Sequence, residues 1–508
     1  MKLRSRAAFA AMLTTGALVL TGCGASGGAA TGDNTAGPTG GTLSIGSLVD
    51  VTSFDPAASH VGHYMQYYQP VYDTLIMREP NGDLTPMLAT DWEYDETETE
   101  LTLNLRDDVT FTDGEKFDAE AVKANIDHFK VANGPQASTA ASIEAVRVVD
   151  EDTAVIELSQ PDPAILLYMA ASAGFMASPA ALDTEGIIGT PVGSGPYILD
   201  TESTIAGATY TYAKNPDYWN PDLQKFDEIV IKPMQDVTAR VNALVSGQVN
   251  AALLDAKTAP QGTGAGLNEI TNPVDWQGLF LFDRGGVQAK PLGDVRVRQA
   301  INYAIDRQSL LDSLLLGNGE ITSQVTGTSS AGYVKKLDER YDFDPKKAKS
   351  LLAAAGYPDG FDLTLPVNSA DTIINAAIVQ QLADVGINAT QVVIPSTDYR
   401  NEIFTGKYSI GYYGIFQGDP WVAVNHHIGP NAAFNPLKYT DEKSAALIEK
   451  IQAGDDDAAK EFTEYITEEA WFAPFYRVNQ LYFFDKTVTV ENQLQQAVPS
   501  IYNYAPTK

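Results

Sequence analysis

The fold class is decided by the segment Trp276–Leu316, which reads WQGLFLFDRGGVQAKPLGDVRVRQAINYAIDRQSLLDSLLL. It begins with an apolar strand at residues 279–282 and passes through a glycine-containing turn into a helix expected from Asp294 to Leu316. The Asp294 carboxylate can accept hydrogen bonds from the exposed amides of the first turn, and Gly317 is suited to end the helix. The apolar stripe of this helix consists of Val297, Ala300, Ile301, Ala304 and Ile305. The segment therefore predicts a strand that leads into a docked helix.

Residues 291–307, PLGDVRVRQAINYAIDR, resemble the central signature of one family of binding proteins. This is the dipeptide/oligopeptide/nickel-binding family, family 5, of the extracytoplasmic solute-binding proteins that serve ABC importers. Other segments are similar to this family in the same order along the chain, at 69–75, 84–130, 191–197, 212–219, 239–254 and 343–358. Together they cover nearly all of the chain that follows the N-terminal leader.

The resemblance implies an α/β protein with the two-lobe, type II fold of periplasmic binding proteins, an extra inserted subdomain and a ligand cleft between the lobes. A lipoprotein signal peptide is expected at 1–22, followed by a lipidated cysteine and its tether at 23–41. Lobe I is expected to consist of three separate segments, 41–60, 187–275 and 479–508. The inserted subdomain is expected at 61–186, and lobe II at 276–478.

The N-terminus has the pattern of a bacterial lipoprotein leader. Basic residues precede an apolar run at 7–20, which is shorter than the roughly 20 residues of a membrane-spanning helix. Leu20-Thr21-Gly22-Cys23 then resembles a lipobox, and Cys23 is the single cysteine of the chain. The alternative is an ordinary signal peptide with an incidental cysteine. With the flexible Gly/Ala/Thr/Ser composition of 24–41, the pattern predicts a lipid-anchored protein on the extracytoplasmic face of a bacterial membrane.

Charge and motifs narrow the partners and activities. The formal net charge of −31 argues against nucleic acid and anionic lipid as partners, although much of it suits a solvated acidic surface. The glycine-rich run 261–266 lacks the Lys-Ser/Thr of a phosphate loop. Transport energy is therefore expected from a separate ATPase that acts with ABC permease subunits. Ser194 lacks the G-x-S-x-G spacing of a nucleophile elbow, so we expect no catalytic residue, and a secreted hydrolase is the remote alternative. The family resemblance implies a monomer without a cofactor.

The segment 411–421, GYYGIFQGDPW, aligns with the loop that enters the cleft in peptide-binding members of the family. In those members, an acidic residue three positions before the Gly-Asp-Pro aspartate pairs with the α-ammonium group of the peptide. Phe416 occupies that place here, which puts recognition through a free amino terminus in doubt. Asp419 either contacts ligand or caps a turn, and the aromatic residues either line a pocket or pack in a core. The ligand-binding candidates are Trp276, Asp283, Arg284, Tyr412, Tyr413, Phe416, Gln417, Asp419 and Trp421.

Two residue types leave the ligand class open. Arg284 follows an apolar strand at the expected lobe boundary, so it either clamps a ligand carboxylate or forms a surface ion pair with Asp283 or another acid. His63, His426 and His427 are weak metal candidates, and solvated histidines are the alternative. The leading prediction is a receptor for a peptide or similar small polar solute. The second is the same scaffold binding a nickel chelate, haem, a sugar or an opine-like solute.

Overall fold

The computed structural model describes residues 38–132 and 134–508. The leader expected at 1–22, the lipobox residue Cys23 and the tether as far as residue 37 lie outside these ranges. Within the described part of the chain, no helix has the length and apolar character needed to cross a membrane.

The described chain contains both strands and helices along its whole length. The strands are β1 (Thr42–Ser47), β2 (Ile76–Arg78), β3 (Leu84–Pro86), β4 (Ala89–Tyr94), β5 (Glu100–Leu105), β6 (Ile143–Asp150), β7 (Thr153–Leu158), β8 (Tyr197–Leu199), β9 (Tyr210–Lys214), β10 (Glu228–Pro233), β11 (Ala251–Leu254), β12 (Asn268–Leu281), β13 (Gly319–Ile321), β14 (Phe361–Asn368), β15 (Ile387–Ile394), β16 (Ile410–Phe416), β17 (Phe472–Phe484), β18 (Val488–Val490) and β19 (Tyr504–Pro506). The helices are α1 (Met65–Tyr68), α2 (Ala119–Ala132), α3 (Ile165–Met169), α4 (Pro179–Leu182), α5 (Val237–Val245), α6 (Ala259–Gly264), α7 (Val295–Ala304), α8 (Arg307–Leu315), α9 (Pro345–Ala354), α10 (Thr372–Ala383), α11 (Ser396–Ile403), α12 (Pro420–Ala423), α13 (Glu442–Gln452) and α14 (Asp456–Glu468).

Two long strands organise the main sheet. Its order is β16-β12-β17-β11-β1-β10-β9-β8, and β13 also pairs with β17. β1 runs parallel to β10 and β11, whereas β12 and β17 are antiparallel to each other along almost their full lengths. A separate antiparallel sheet has the order β4-β5-β7-β6. β12 and β17 therefore join the part of the main sheet around β1 to the part around β16.

Alternate residues of β12 face two different cores, as the two-residue period of a strand requires. Leu279 and Leu281 pack in a core with residues of α7, α9 and α10. Trp276, Phe280 and Phe282 point the other way, into a core that includes residues of α13 and α14. The strand expected at 279–282 is thus only the end of β12, which begins at Asn268. Its first half reads NEITNPVD, which has no apolar alternation to reveal a strand.

The helix expected from Asp294 to Leu316 is wrong in extent, because the structure has two helices there. Asp294 caps α7 as predicted, with its carboxylate accepting from the amide of Arg296 at 2.9 Å. The chain leaves the helical conformation at Ile305, and Asp306 caps α8. The apolar stripe continues in phase across this break, so the sequence pattern conceals it.

Three polar side chains of this helix pair lie outside its apolar stripe and are nevertheless buried: Arg298, Asn302 and Arg307. The Arg307 guanidinium donates to several main-chain carbonyls, including that of Pro474 on β17 at 2.7 Å. Backbone carbonyls satisfy its donors without a carboxylate partner. These buried side chains hold α7 and α8 against the main sheet.

Gly278 brings β12 and β17 close together at a register shift between the two strands. A Cβ atom on Gly278 would lie 2.4 Å from the carbonyl oxygen of Ala473 and 2.6 Å from the Cα of Pro474. Because both obstacles are backbone, we expect Gly278→Ala to lower the free energy of unfolding by about 1–3 kcal/mol in urea denaturation. Gly264→Ala is the control, since nothing lies within 4 Å of a Cβ there. Equal urea midpoints for the two variants would contradict the expectation.

Candidate ligand-binding cleft

Residues 411–416 of the segment predicted to enter the cleft as a loop instead form β16, which runs beside β12. Phe416 lies opposite Asp275 and Ile415 opposite Trp276 in this strand pair. The amide of Gln417 continues the contact by donating to the carbonyl of Val274 at 2.8 Å. We call residues 417–428 the cleft loop; it contains α12 and ends in a π-helical turn. π-helical turns occur frequently at functional sites.

A small cavity lies under the cleft loop, and we call it the Gln417 cavity. Its volume is about 10 Å³, roughly the room that one water molecule needs. Its lining residues are Trp276, Val325, Thr326, Phe416, Gln417, Gly418, Ala423, His427, Ile428 and Phe472.

Buried polar atoms without partners surround this cavity. Gln417 and His427 are each 4% exposed. Within the described residues, both side-chain heteroatoms of Gln417, both ring nitrogens of His427 and the indole nitrogen of Trp421 make no hydrogen bond. Each such group costs about 1–3 kcal/mol when left unpaired. The cavity therefore offers several hydrogen-bonding atoms whose pairing would stabilise a bound molecule.

His427 is neutral in this setting. Burial, reinforced by the neighbouring charge of His426, lowers the pKa of His427 to about 3. Its ring packs edge-on to Phe416, with 4.7 Å between ring centroids, and to Phe434 at 5.5 Å. A neutral imidazole has one donor nitrogen and one acceptor nitrogen, so the His427 side chain, which lines the cavity, can act as a donor or as an acceptor.

The opposite wall is aromatic and held in place by ring contacts. Trp276 stacks on Phe280 with 4.9 Å between centroids, and it meets Phe472 edge-on at 5.6 Å. Aromatic contacts of this kind stabilise a fixed arrangement of large side chains. This wall gives the cavity a rigid apolar side.

Asp419 joins the cleft loop to two other segments. Its side chain makes no capping hydrogen bond to α12; its Oδ1 accepts from Nε2 of Gln495 at 3.1 Å. The Oε1 of Gln495 accepts in turn from Nη2 of Arg78 at 2.8 Å. Gln495 has a positive φ of 57°, so the local backbone adopts an unusual conformation to place this amide. We call this chain of contacts the Arg78–Gln495–Asp419 link.

A second cavity, of about 30 Å³, adjoins Arg78. It lies between the region of α1 and the C-terminal segment that carries Gln495. Its lining residues are Met65, Gln69, Tyr72, Thr74, Met77, Arg78, Ala170, Phe175, Gln493, Gln496, Val498, Ser500 and Tyr502. The Nε of Arg78 is buried and has no partner among the described residues.

Arg284 is buried, so the surface ion pair considered for it is wrong. It is 2% exposed, and its guanidinium lies over the rings of Trp471 and Phe472, at 4.7 and 5.0 Å from their centroids. Its Nη1 donates to Asn435 at 3.2 Å. Burial, followed by the charge of Arg298, lowers the pKa of Arg284 to about 9. The Asp283 carboxylate instead accepts main-chain N–H groups of residues 287–289.

The setting of Arg284 predicts opposite outcomes for two substitutions. Arg284→Met should leave the free energy of unfolding unchanged or raise it, because methionine fills the space without burying a charge. The free energy of unfolding of Arg284→Ala should be at least about 2 kcal/mol lower than that of Arg284→Met, since alanine opens a cavity between two aromatic rings. Chemical denaturation at pH 7 measures both values. A methionine variant as unstable as the alanine variant would show that the charge itself is required.

The remaining candidates are spread around the loop. The Tyr412 hydroxyl donates to Gln277 at 2.8 Å and lies on the α7 side of the sheet. Tyr413 packs against Phe404 and Phe434. The structure thus gathers Trp276, Phe416 and Gln417 at the Gln417 cavity, with His427. The other candidates lie outside its lining: Asp283, Arg284, Tyr412, Tyr413, Asp419 and Trp421.

Two further features concern metals and missed residues. His63 and His426 are half-buried, and no group of three or more His, Cys, Asp or Glu side chains in the described ranges could hold a metal ion. Thr326 and Phe472 line the cavity but escaped the sequence analysis. Both lie far from the cleft loop along the chain, and no sequence motif marks them.

Comparison with known proteins gives consistent results. Residues 83–428 match the family described as bacterial extracellular solute-binding proteins, family 5 Middle. The chain is 31% identical over 359 residues to the glutathione-binding protein GsiB of Salmonella paratyphi A, covering 68% of each chain. It resembles the structure of DppA from Helicobacter pylori in complex with the peptide STSA, with a TM-score of 0.77, 22% identity and coverage of 93% and 99% of the two chains. It also resembles AgaA from A. tumefaciens R10 in complex with agropinic acid, with a TM-score of 0.76, 25% identity and coverage of 92% and 99%.

Proposed function

Because the chain belongs to the bacterial extracellular solute-binding proteins of family 5, we propose that it captures a peptide or a similar small polar solute outside the cytoplasm and delivers it to an ABC permease. A relative is a glutathione-binding protein, and a structural neighbour holds a peptide. The neighbour that holds agropinic acid favours an opine-like solute as the second candidate.

The observation that carries this proposal is the set of unpaired polar atoms at the Gln417 cavity. Gln417 and His427 bury polar atoms that have no partners among the described residues. A solute that hydrogen-bonds to these atoms would recover free energy that the protein alone leaves unsatisfied. Trp276 and Phe472 supply apolar contact beside them, which is the combination typical of small-molecule sites.

We assign residues 41–60, 187–275 and 479–508 to lobe I, 61–186 to the inserted subdomain and 276–478 to lobe II. The assignment is supported by the sheet order, in which β12 and β17 lead from β11 to β16. Closure of the lobes would bring the Arg78–Gln495–Asp419 link together around a solute. The protein acts as a monomer in this scheme.

Calorimetric titration of the detergent-extracted full chain tests the function. Glutathione, the peptide STSA, agropinic acid and a nickel–histidine chelate form the panel, and we expect a Kd of about 1 μM or tighter, near −8 kcal/mol, for a peptide. Gln417→Leu should weaken that binding at least tenfold, whereas Gln391→Leu, at an exposed position of β15, should not. Binding of only agropinic acid or only the chelate would replace the peptide proposal, and consumption of a solute would indicate a hydrolase.

We also propose that Cys23 is lipidated and anchors the chain to the extracytoplasmic face of the membrane through the tether at 24–41. Cys23→Ala should shift the protein from the membrane fraction to the soluble fraction, because a thioether-linked lipid at that residue would be lost. Immunoblotting of separated membrane and soluble fractions measures the shift. Ser26→Ala, in the tether, is the control and should stay with the membrane. Unchanged partitioning of the Cys23 variant would refute the anchor.

A further inference from the structure

The lining of the Gln417 cavity contains no formal charge. The polar side chains among its ten lining residues are those of Trp276, Thr326, Gln417 and His427, and the others are apolar or glycine. Burial keeps His427 neutral by lowering its pKa to about 3. A solute group that enters this cavity therefore meets only uncharged donors and acceptors.

The two carboxylates that adjoin lining residues in the chain, those of Asp275 and Asp419, each accept a hydrogen bond from a glutamine and do not line the cavity. Asp419 accepts from Gln495 at 3.1 Å. Asp275, opposite Phe416 in the strand pair, accepts from Gln480 at 3.0 Å and does not line the cavity. An ammonium group in the cavity would thus lose its hydration without gaining a carboxylate partner, and burial of an unpaired charge is strongly unfavourable.

The unpaired atoms of Gln417 and His427 determine which chemical group of a solute can form hydrogen bonds with both side chains. The Gln417 amide presents donors through Nε2 and an acceptor through Oε1, and neutral His427 presents one of each. An ammonium group carries three donors and no acceptor, and a carboxylate carries acceptors only. An amide carries both kinds of atom, as does a hydroxyl group, so either can pair with Gln417 and His427 together.

We propose that the Gln417 cavity is a subsite for an uncharged amide or hydroxyl group of the solute, in which a free α-ammonium group binds more weakly. This inference rests on the proposed function. It extends the expectation, implied by the family resemblance, that Phe416 stands where peptide-binding members carry an acid: every residue that lines the cavity is uncharged. Solutes whose amino group is acylated are the favoured class.

Matched pairs of solutes test the proposal in the detergent-extracted full chain. The peptide STSA with a free amino terminus is compared with N-acetyl-STSA, and glucosamine with N-acetylglucosamine, by calorimetric titration. We expect the acetylated member of a pair to bind at least tenfold more tightly. A tighter Kd for the free amine, or equal values, would overturn the inference while leaving the solute-binding function intact.

A variant that adds a carboxylate to the cavity tests the subsite independently of the wild-type titrations. Gln417→Glu changes the group by one atom and should reverse the preference toward the free amine. Gln391→Glu, on the exposed face of β15, should keep the preference of the wild type. A folded Gln417→Glu variant that retains that preference would contradict the subsite. If the variant does not fold, the wild-type pairs decide the question alone. Failure of every solute in both panels to bind would reject the proposed function itself.

Discussion

Replacing Arg477 by methionine is expected to lower the free energy of unfolding by about 3–5 kcal/mol at pH 7. Arg477 is 1% exposed on β17. Its Nη2 donates to Oδ1 of Asp338 at 2.7 Å and to the carbonyl of Thr326 at 2.9 Å. Loss of the guanidinium leaves a partly buried carboxylate without its cation, and it frees the segment that carries Thr326 at the Gln417 cavity. Urea denaturation measures the change.

The pair with Asp338 also fixes the pH dependence of this loss. Burial raises the pKa of Asp338, but hydrogen bonds from Arg477 and Tyr333 outweigh it, and the net pKa is lowered. A carboxyl group with a lowered folded-state pKa stabilises the protein above its unfolded pKa of 3.8 and loses that contribution as the pH falls. The free energy of unfolding that Arg477→Met loses relative to the wild type should therefore be smaller at pH 3 than at pH 7.

Two controls make the Arg477 experiment specific. Lys336→Met removes the cation of a surface pair with Glu464, and Lys336 is 70% exposed, so its cost should stay within about 1 kcal/mol. The double variant Arg477→Met/Asp338→Asn should lose less than the sum of the two single variants, since each breaks the same contact. Additive losses, or equal losses for Arg477 and Lys336, would show that the buried pair is not the source of the stability.

Asp275→Asn is expected to remove about 2–3 kcal/mol from the loss of free energy of unfolding that the wild type shows between pH 4 and pH 7 because of this residue. Burial raises the pKa of Asp275 from 3.8 to about 6, against the opposing hydrogen bond from Gln480. The folded state therefore holds a proton that the unfolded state has released in this range. This contribution is fully present below pH 3.8 and is lost as the pH rises through about 6.

Asparagine at this position stays neutral and can still accept from Gln480, so it removes the titration and keeps the contact. Urea midpoints at half-unit steps from pH 4 to pH 8 measure the effect. Burial also raises the pKa of Asp73 to about 6, but wild type and variant share Asp73, and its contribution cancels in their difference. Parallel pH profiles for the two proteins would contradict a buried titrating group at residue 275.

Local signals in the sequence located several elements correctly. The pair Asp344-Pro345 is typical of a capped helix start, and the structure has α9 from Pro345 to Ala354 with Asp344 as its cap. The Asp294 cap of α7 is confirmed in the same way. The comparisons confirm the family and the expected type II fold of periplasmic binding proteins. Capping and periodicity depend on neighbouring residues, so the sequence displays them directly.

Features that depend on distant residues were not predictable. The end of α7 at Ile305 is concealed by an apolar stripe that continues in phase, and the burial of Arg284 depends on the rings at Trp471 and Phe472. The cleft loop itself was located through the family resemblance. Its unpaired atoms could not be inferred, because an unpaired Gln417 is defined by everything that surrounds it in three dimensions.

The small size of the two cavities has a consequence for the kinetics of capture. With volumes of about 10 and 30 Å³, they are far smaller than the several hundred Å³ of a typical small-molecule site. A solute can enter only after the walls separate, and in the proposed lobe closure this separation breaks the hydrogen bonds of the Arg78–Gln495–Asp419 link. Motions of this kind take microseconds to milliseconds. At high solute concentration the observed association rate should therefore stop rising and reach a plateau equal to the rate of opening.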